Sequence, residues 1–320
     1  MKKTLIALAA VALSGAAFAQ SSVTLYGVAD MAVGKSNAAG LGLANDKFQA
    51  ITSNVLNNGT SRFGFRGTED LGGGLKAGFN FEAGISLATG AGNFSGGQMF
   101  SRAANMSLMG GFGEIRAGRS LTPSFYSVAS WELTGTANYS AVANQFSFAG
   151  AGPRDSGLVM YRSPSFGGLT VDLGTVLAGN NVYTGGVPAT GKSKADLAVT
   201  YKAGPATASL AYNKVSGAVK NVALGGKYDF GGFAVAASYQ DPAGVKKGFT
   251  LGVSAPVGPV TLTADIARAT DTANKNTDFV LEAKYALSKR TFAYGVFMRD
   301  GALAGGKNVN GYAVGLRHNF

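Results

Sequence analysis

Five arginines are the residues of this chain whose type and spacing could do chemistry: Arg62 and Arg66 in one short stretch, Arg116 and Arg119 in another, and Arg102 between the two. A guanidinium keeps its charge at any physiological pH and presents a rigid fork of donors. Gathered around water, such groups set up a fixed positive field that admits anions and repels cations. The plainer alternative is that they pair with Asp30, Glu82 and Glu114 and fill space. Hydrolysis is poorly provided for, because it needs a nucleophile with a base or paired acids with a histidine. The chain has one histidine, His318, close to the end of the sequence and on the face shared by Tyr312, Val314 and Leu316. Cysteine is absent, so no disulfide and no thiolate metal site can form. The glycines at 72–74 lie between two strand-like stretches with no helix to follow, which does not support a phosphate-binding loop. No metal and no cofactor is expected.

The elements that must carry these arginines alternate with period 2. Leu75, Ala77, Phe79, Phe81, Ala83 and Ile85 take one parity, while Lys76, Gly78, Asn80, Glu82 and Gly84 take the other. Phe63 and Phe65 oppose Arg62, Gly64 and Arg66. Leu197, Val199 and Tyr201 oppose Asp196, Thr200 and Lys202. At the end of the sequence Tyr312, Val314, Leu316, His318 and Phe320 oppose Ala313, Gly315, Arg317 and Asn319. Such alternation sorts lipid from water residue by residue.

Turn signals divide the chain into strands near 22–33, 60–70, 75–88, 99–109, 114–119, 156–163, 169–177, 194–202, 206–214, 219–229, 233–241, 248–256, 260–270, 278–287, 291–299 and 310–320. Sixteen is an even number, as a bacterial barrel with both termini on the periplasmic side requires. It also encloses more space than side chains can fill, so an aqueous lumen follows. Short Gly- and Pro-rich connections at 70–74, 110–113, 164–168, 204–205, 230–232, 256–259 and 288–290 read as periplasmic turns. The longer 34–59, 179–193 and 300–309 read as extracellular loops. The longest connection is 120–155, and a segment of that length in a compact fold is usually functional.

The first residues read as an export signal: Lys2 and Lys3, an apolar run at 5–13, then Ala17-Phe18-Ala19 before Gln20. The run is too short for the roughly 20 residues of a membrane-spanning helix. We expect residues 1–19 to be removed and residues 20–320 to form one domain. Without Lys2 and Lys3 the chain carries 26 basic against 17 acidic side chains, a net +9. The basic residues stand singly at alternate strand positions rather than in a run, which points to the inside of a channel and away from nucleic acid. The 48 glycines, 12 tyrosines and 20 phenylalanines fit the same class. Tyr201, Tyr228, Tyr285, Tyr294, Tyr312 and Phe320, near strand ends, would form interfacial girdles against outer-membrane lipid.

Several stretches resemble the Gram-negative general diffusion porins of β-proteobacteria and neisseriae: SSVTLYGVAD at 21–30, SRFGFRGTEDLGGGLKAGFNFEAG at 61–84, GGFGEIRAGRS at 110–120, YRSPSFGGLTV at 161–171, YALSKRT at 285–291 and GYAVGLRHNF at 311–320. The resemblance implies an all-β, 16-stranded antiparallel transmembrane β-barrel in the outer membrane, assembled as a homotrimer and conducting small hydrophilic solutes passively. It implies that Phe320 is read by the assembly machinery. It also implies that the third extracellular loop, here 120–155, folds inward and narrows the pore.

On that reading the constriction has a basic side, Arg62, Arg66, Arg102, Arg116 and Arg119, and a loop side carrying Glu132 and Asp155. Anion preference is the expected result. So few loop carboxylates put a strong transverse field in doubt. Tyr126, Trp131, Tyr139, Phe146 and Phe148 could pack the loop against the wall; a loop that merely covers the mouth is the other arrangement. Arg102 and Arg119 have the parity of lipid-facing neighbours unless a bulge or a strand end turns them. An adhesin using the outer loops, or an outer-membrane hydrolase, are the rival classes.

Overall fold

The computed structural model describes residues 22–37, 41, 43, 46–92, 97–150, 152–180, 182–184, 187–189, 191–218, 220–242, 247–271, 275–301 and 308–320. The expected leader, 1–19, lies outside the described residues. Sixteen strands make the wall: β1 (Ser22–Ser36), β2 (Arg62–Gly72), β3 (Leu75–Gly84), β4 (Ala103–Gly110), β5 (Gly113–Leu121), β6 (Arg154–Arg162), β7 (Leu169–Val176), β8 (Lys194–Ala203), β9 (Ala206–Val215), β10 (Lys220–Asp229), β11 (Ala234–Asp241), β12 (Gly248–Val257), β13 (Val260–Ala269), β14 (Thr277–Ala286), β15 (Thr291–Asp300) and β16 (Val309–Asn319). Each pairs antiparallel with its neighbours in sequence. Every segment marked by the alternation is realised, with ends shifted by a few residues. A short strand, Gln49–Ile51, joins the sheet against β1, and Val182–Thr184 pairs with Val187–Ala189 in the loop after β7.

The sheet closes at β1. Residues 22–28 of that strand pair with β2, and residues 28–36 pair with β16. Phe320 completes the seam through its main chain: its N–H donates to Gly27 O at 3.1 Å, and its carbonyl accepts from Gly27 N at 3.0 Å. Closure removes every unpaired edge from the hydrocarbon, where an unsatisfied backbone group would cost several kcal/mol.

The two faces are inverted relative to a water-soluble protein. Asp172, Asp196, Ser209, Asn213, Gln240, Thr250, Asp265, Asp278 and Glu282 are buried, whereas Leu25, Val33, Phe65, Met106, Leu173, Leu224, Leu251, Leu281 and Val314 are exposed. The polar parity faces inward and the apolar parity meets lipid. Tyr201, Tyr228, Tyr285, Tyr312 and Phe320 are exposed on the outer face. Tyr294 is not a girdle residue. It has the inward parity of β15, is 2% exposed, and donates from its hydroxyl to Asp30 Oδ1 at 2.7 Å.

Strict alternation breaks at one functional place. Opposite Ala104 and Asn105, β5 slips its register with β6 between Gly118 and Ser120, and Gly118 takes φ = +124°. An added Cβ there would strike the Ala104 carbonyl, so only glycine fits. The bulge re-aims Arg119, while Arg102 precedes β4 and is free of its parity. Both escapes from lipid-facing parity that the sequence allowed are therefore present.

Between β5 and β6 the long connection contains two short helices, α1 (Pro123–Ala129) and α2 (Ala141–Phe146). Thr122 caps α1 by accepting from Phe125 N at 3.1 Å, with proline in the first turn, where its missing N–H costs nothing. Ser140 caps α2 by accepting from Ala143 N at 3.3 Å.

Candidate functional site

The described residues of the connection 122–153 lie against the inner wall, held by inward-facing polar residues of β8, β9 and β14. Ser124 donates from its hydroxyl to Asp196 Oδ1 at 2.7 Å and from its N–H at 3.1 Å. Asn213 donates to Ser124 Oγ and to Ala149 O, each at 3.0 Å, and Ser127 Oγ meets Ser209 Oγ at 2.7 Å. Farther round the wall, Tyr139 donates to Glu282 Oε2 at 2.8 Å, and Lys284 Nζ donates to Thr134 O at 3.2 Å.

Apolar burial adds to these bonds. Tyr139 and Phe146 are sunk in a cluster with Val280, Val296 and Met298, and Trp131 packs with Val128, Val142 and Ala236 over the space left by Gly225. Burying an aromatic side chain of this size is worth about 2–3 kcal/mol, so these side chains tie the loop to the wall. Of the aromatics expected to fix it, Trp131, Tyr139 and Phe146 are fully buried, while Tyr126 and Phe148 pack at the margins. Burial, reinforced by the nearby Glu282 carboxylate, raises the Tyr139 phenol well above its ordinary range, so it remains a donor.

With the loop seated on that side, an open cavity of about 550 Å³ remains between it and the opposite wall. The wall side carries Arg62 from β2, Glu82 from β3, Arg102, Arg154 from β6 and Arg317 from β16. Among the described lining residues four guanidiniums thus face one carboxylate. Arg102 Nε meets Glu82 Oε1 at 2.7 Å, Arg62 Nε lies 3.4 Å from Oε2, and Tyr26 donates to the same oxygen at 3.0 Å. Arg154 donates to the Arg102 carbonyl at 2.8 Å, and Arg317 donates to Asn58 Oδ1 at 2.7 Å. The loop side of the cavity presents Gly135, Thr136, Ala137, Asn138, Ala143 and Asn144, none of them charged. Three unbalanced positive charges follow, bordering water on a low-dielectric wall.

The residues named from the sequence fall into three groups. Arg62 and Arg102 line this cavity. Arg66 and Arg116 line a second cavity of about 350 Å³, in which Arg116 forks onto Glu114 at 2.7 and 3.0 Å and Arg66 lies 4.9 Å over the Tyr26 ring. Arg119, turned by the bulge, donates to Ser101 O and, at 2.8 Å, to Ser156 Oγ. The two carboxylates expected on the loop side take other places. Glu132 folds back onto its own loop, accepting from Thr134 N at 3.1 Å and Thr136 N at 2.6 Å. Asp155 is fully buried in an ion pair with Lys194 at 2.7 Å. Both are consumed in holding the chain, because a carboxylate taken out of water must find donors or a cation. Arg154 and Arg317 are not among the residues that the sequence singles out. Arg317 carries a signal, its place on the water-facing parity of the last strand; Arg154 lies at the edge of the long connection, where no alternation assigns a face.

A model of the Gram-negative porin family matches residues 4–319. The chain belongs to that family. Outer membrane porin protein 32 of Delftia acidovorans is 35% identical over the whole of both chains, and an outer membrane porin protein of Bordetella pertussis is 30% identical over the same extent. Among solved structures, an anion-selective porin from Comamonas acidovorans superposes with a TM-score of 0.74 at 30% identity, covering 94% of this chain and all of that one. This porin is therefore an outer-membrane protein that crosses the bilayer many times as a closed antiparallel barrel, and its lumen is a water-filled path for small solutes.

Proposed function

We propose that this porin is a general diffusion channel that prefers anions, working as a homotrimer in the outer membrane and performing no chemistry on what passes. One observation carries the preference: Arg62, Arg102, Arg154 and Arg317 surround a cavity that offers Glu82 as its only carboxylate among the described lining residues. Fixed guanidiniums beside a narrow aqueous path lower the free energy of an anion there and raise that of a cation. The loop face of the same path is neutral, so the field repels cations from one wall rather than running across the pore between opposed charges. Likeness to the anion-selective porin from Comamonas acidovorans supports the same sign.

The reading as a passage rather than a catalyst is supported by the lone histidine. His318 sits near the periplasmic end of β16 on the lipid-facing side, with Nδ1 2.8 Å from Thr291 Oγ1. No substrate entering from outside the cell would meet it. Membership of the porin family supports assembly as a trimer. The deciding experiment is a reversal potential in planar bilayers under a KCl gradient, with stepwise closure recorded in the same membranes. The expected sign is that of an anion-selective pore, with closures in threes. A cation-selective sign would refute the role given to the four arginines, and single-step closure would refute the trimer.

A further inference from the structure

The outer face of the barrel carries charge at its extracellular end in an arrangement that conduction does not explain. Lys214 and Lys220 are Cα partners at the last rung of the β9–β10 ladder, and both are exposed. Their parity is that of Leu210 and Leu224, which face lipid, so the two ammonium groups leave the same side of the sheet from adjacent strands. Like charges placed directly opposite one another destabilise a sheet. No acidic side chain among the described residues forms an ion pair with either lysine. Asp241, exposed on the same face of β11, stands opposite Val222 and is only a diagonal neighbour of Lys220.

Between the apolar rungs and this basic one lie Tyr212 and Val222, also paired. From the middle of the wall outward along the lipid face, the ladder passes from leucine to tyrosine to lysine. That is the order of hydrocarbon, interface and headgroup, at whose level long lysines extend to reach charge. Other cations share the rim with Asp241. Lys35, Arg268 and Arg299 are the outward-facing charges at the extracellular ends of β1, β13 and β15, whereas the periplasmic end of the outer face has Glu69 and His318. Lys35 is already engaged by Asp46 at 2.6 Å and Arg268 by Thr277 Oγ1 at 2.5 Å, which leaves Lys214 and Lys220 as the close pair without an anionic partner.

We propose that Lys214 and Lys220 form a binding site for the phosphate of a phosphorylated glycolipid headgroup in the outer leaflet. A phosphate between the two ammonium groups would remove their repulsion, while the acyl chains lie on Leu210 and Leu224. The test uses the full folded porin in neutral detergent, with bisphosphorylated lipid A and its dephosphorylated counterpart as probes and binding read by native mass spectrometry. The K214Q/K220Q variant should bind the phosphorylated lipid about 25-fold more weakly, about fivefold for each lysine beside an anionic surface. K214R/K220R should restore binding, and K289Q, in a periplasmic turn, should leave it unchanged. Conductance and reversal potential should not move in any of these, which also reports correct folding; should the double variant fail to fold, the K214Q single variant carries the test with a fivefold loss. Equal binding by K214Q/K220Q and wild type, or equal binding of the two lipids, would overturn the proposal. Displacement of the lipid by an excess of inorganic phosphate would assign the site to free phosphate instead. A change in oligomer size in place of lipid loss would make the face a contact between copies, and either result would refute the lipid site.

Discussion

Replacing Arg154 by glutamine gives the sharpest test of the basic aperture, because the change removes charge from the cavity without leaving a carboxylate stranded: Arg154 donates to the Arg102 carbonyl, not to an acid. If the 550 Å³ cavity is treated as a sphere of about 5 Å radius, one wall charge acts on a central ion with about 0.8 kcal/mol in water, reduced to about 0.5 kcal/mol by screening at roughly 0.1 M salt. An anion loses that amount when the charge goes and a cation gains it. The anion-to-cation permeability ratio should therefore fall by about fivefold, since the difference is about 1 kcal/mol. At roughly 1 M salt the Debye length of about 3 Å reduces the change to less than about twofold. The assay is the reversal potential of wild type and R154Q across a planar bilayer, at both ionic strengths, with single-channel conductance as a control for an intact pore. A ratio that does not move at low salt would refute the assignment of Arg154 to the conducting path. A change equal at both salts would refute the electrostatic explanation and point to altered pore size.

Other expectations follow from the anchors of the loop and the bulge. Lys194→Met leaves Asp155 and Asp196 buried without their ammonium, which should cost about 3–5 kcal/mol; an unchanged unfolding midpoint in a denaturant series would refute the reading of Asp155 as a buried anchor. Gly118→Val forces a side chain into φ = +124° against the Ala104 carbonyl, at a cost of about 1–3 kcal/mol, and should reduce the yield of folded barrel on an unheated gel; equal yield would show that the bulge tolerates a side chain. Tyr139→Phe removes the bond to Glu282 and should raise current noise through a loosened loop. Because the Tyr139 phenol is raised above 10.0 in the fold, its contribution is whole below about pH 10 and is lost as pH climbs past that value into the raised range. Stability of wild type relative to Y139F should therefore be flat from neutral pH to about 10 and decline above it. A difference that instead grows with alkalinity would refute the sign.

The alternation made the wall legible. The sixteen strands, the inward parity of Arg62, Arg66, Arg116 and Arg317, and the lipid-facing parity of Leu281 or Val314 could all be read from residue types alone, because which face a strand residue takes is set by its own backbone and its immediate neighbours. Tyr294 shows the limit of reading by residue type. Tyrosine near a strand end suggested a girdle, yet its even position in β15 turned it inward to Asp30.

By itself, then, the sequence determined the strand number and the wet lumen, since both follow from local periodicity. The tertiary structure alone decided which charges share one aperture. Arg62, Arg102, Arg154 and Arg317 come from distant parts of the chain and meet only because the sheet curls and closes β16 onto β1. It also decided that Glu132 and Asp155 serve as anchors, and that the bulge at Gly118 turns Arg119. Those outcomes depend on curvature, on the seating of a loop and on a slip of register. No window of neighbouring residues contains that information.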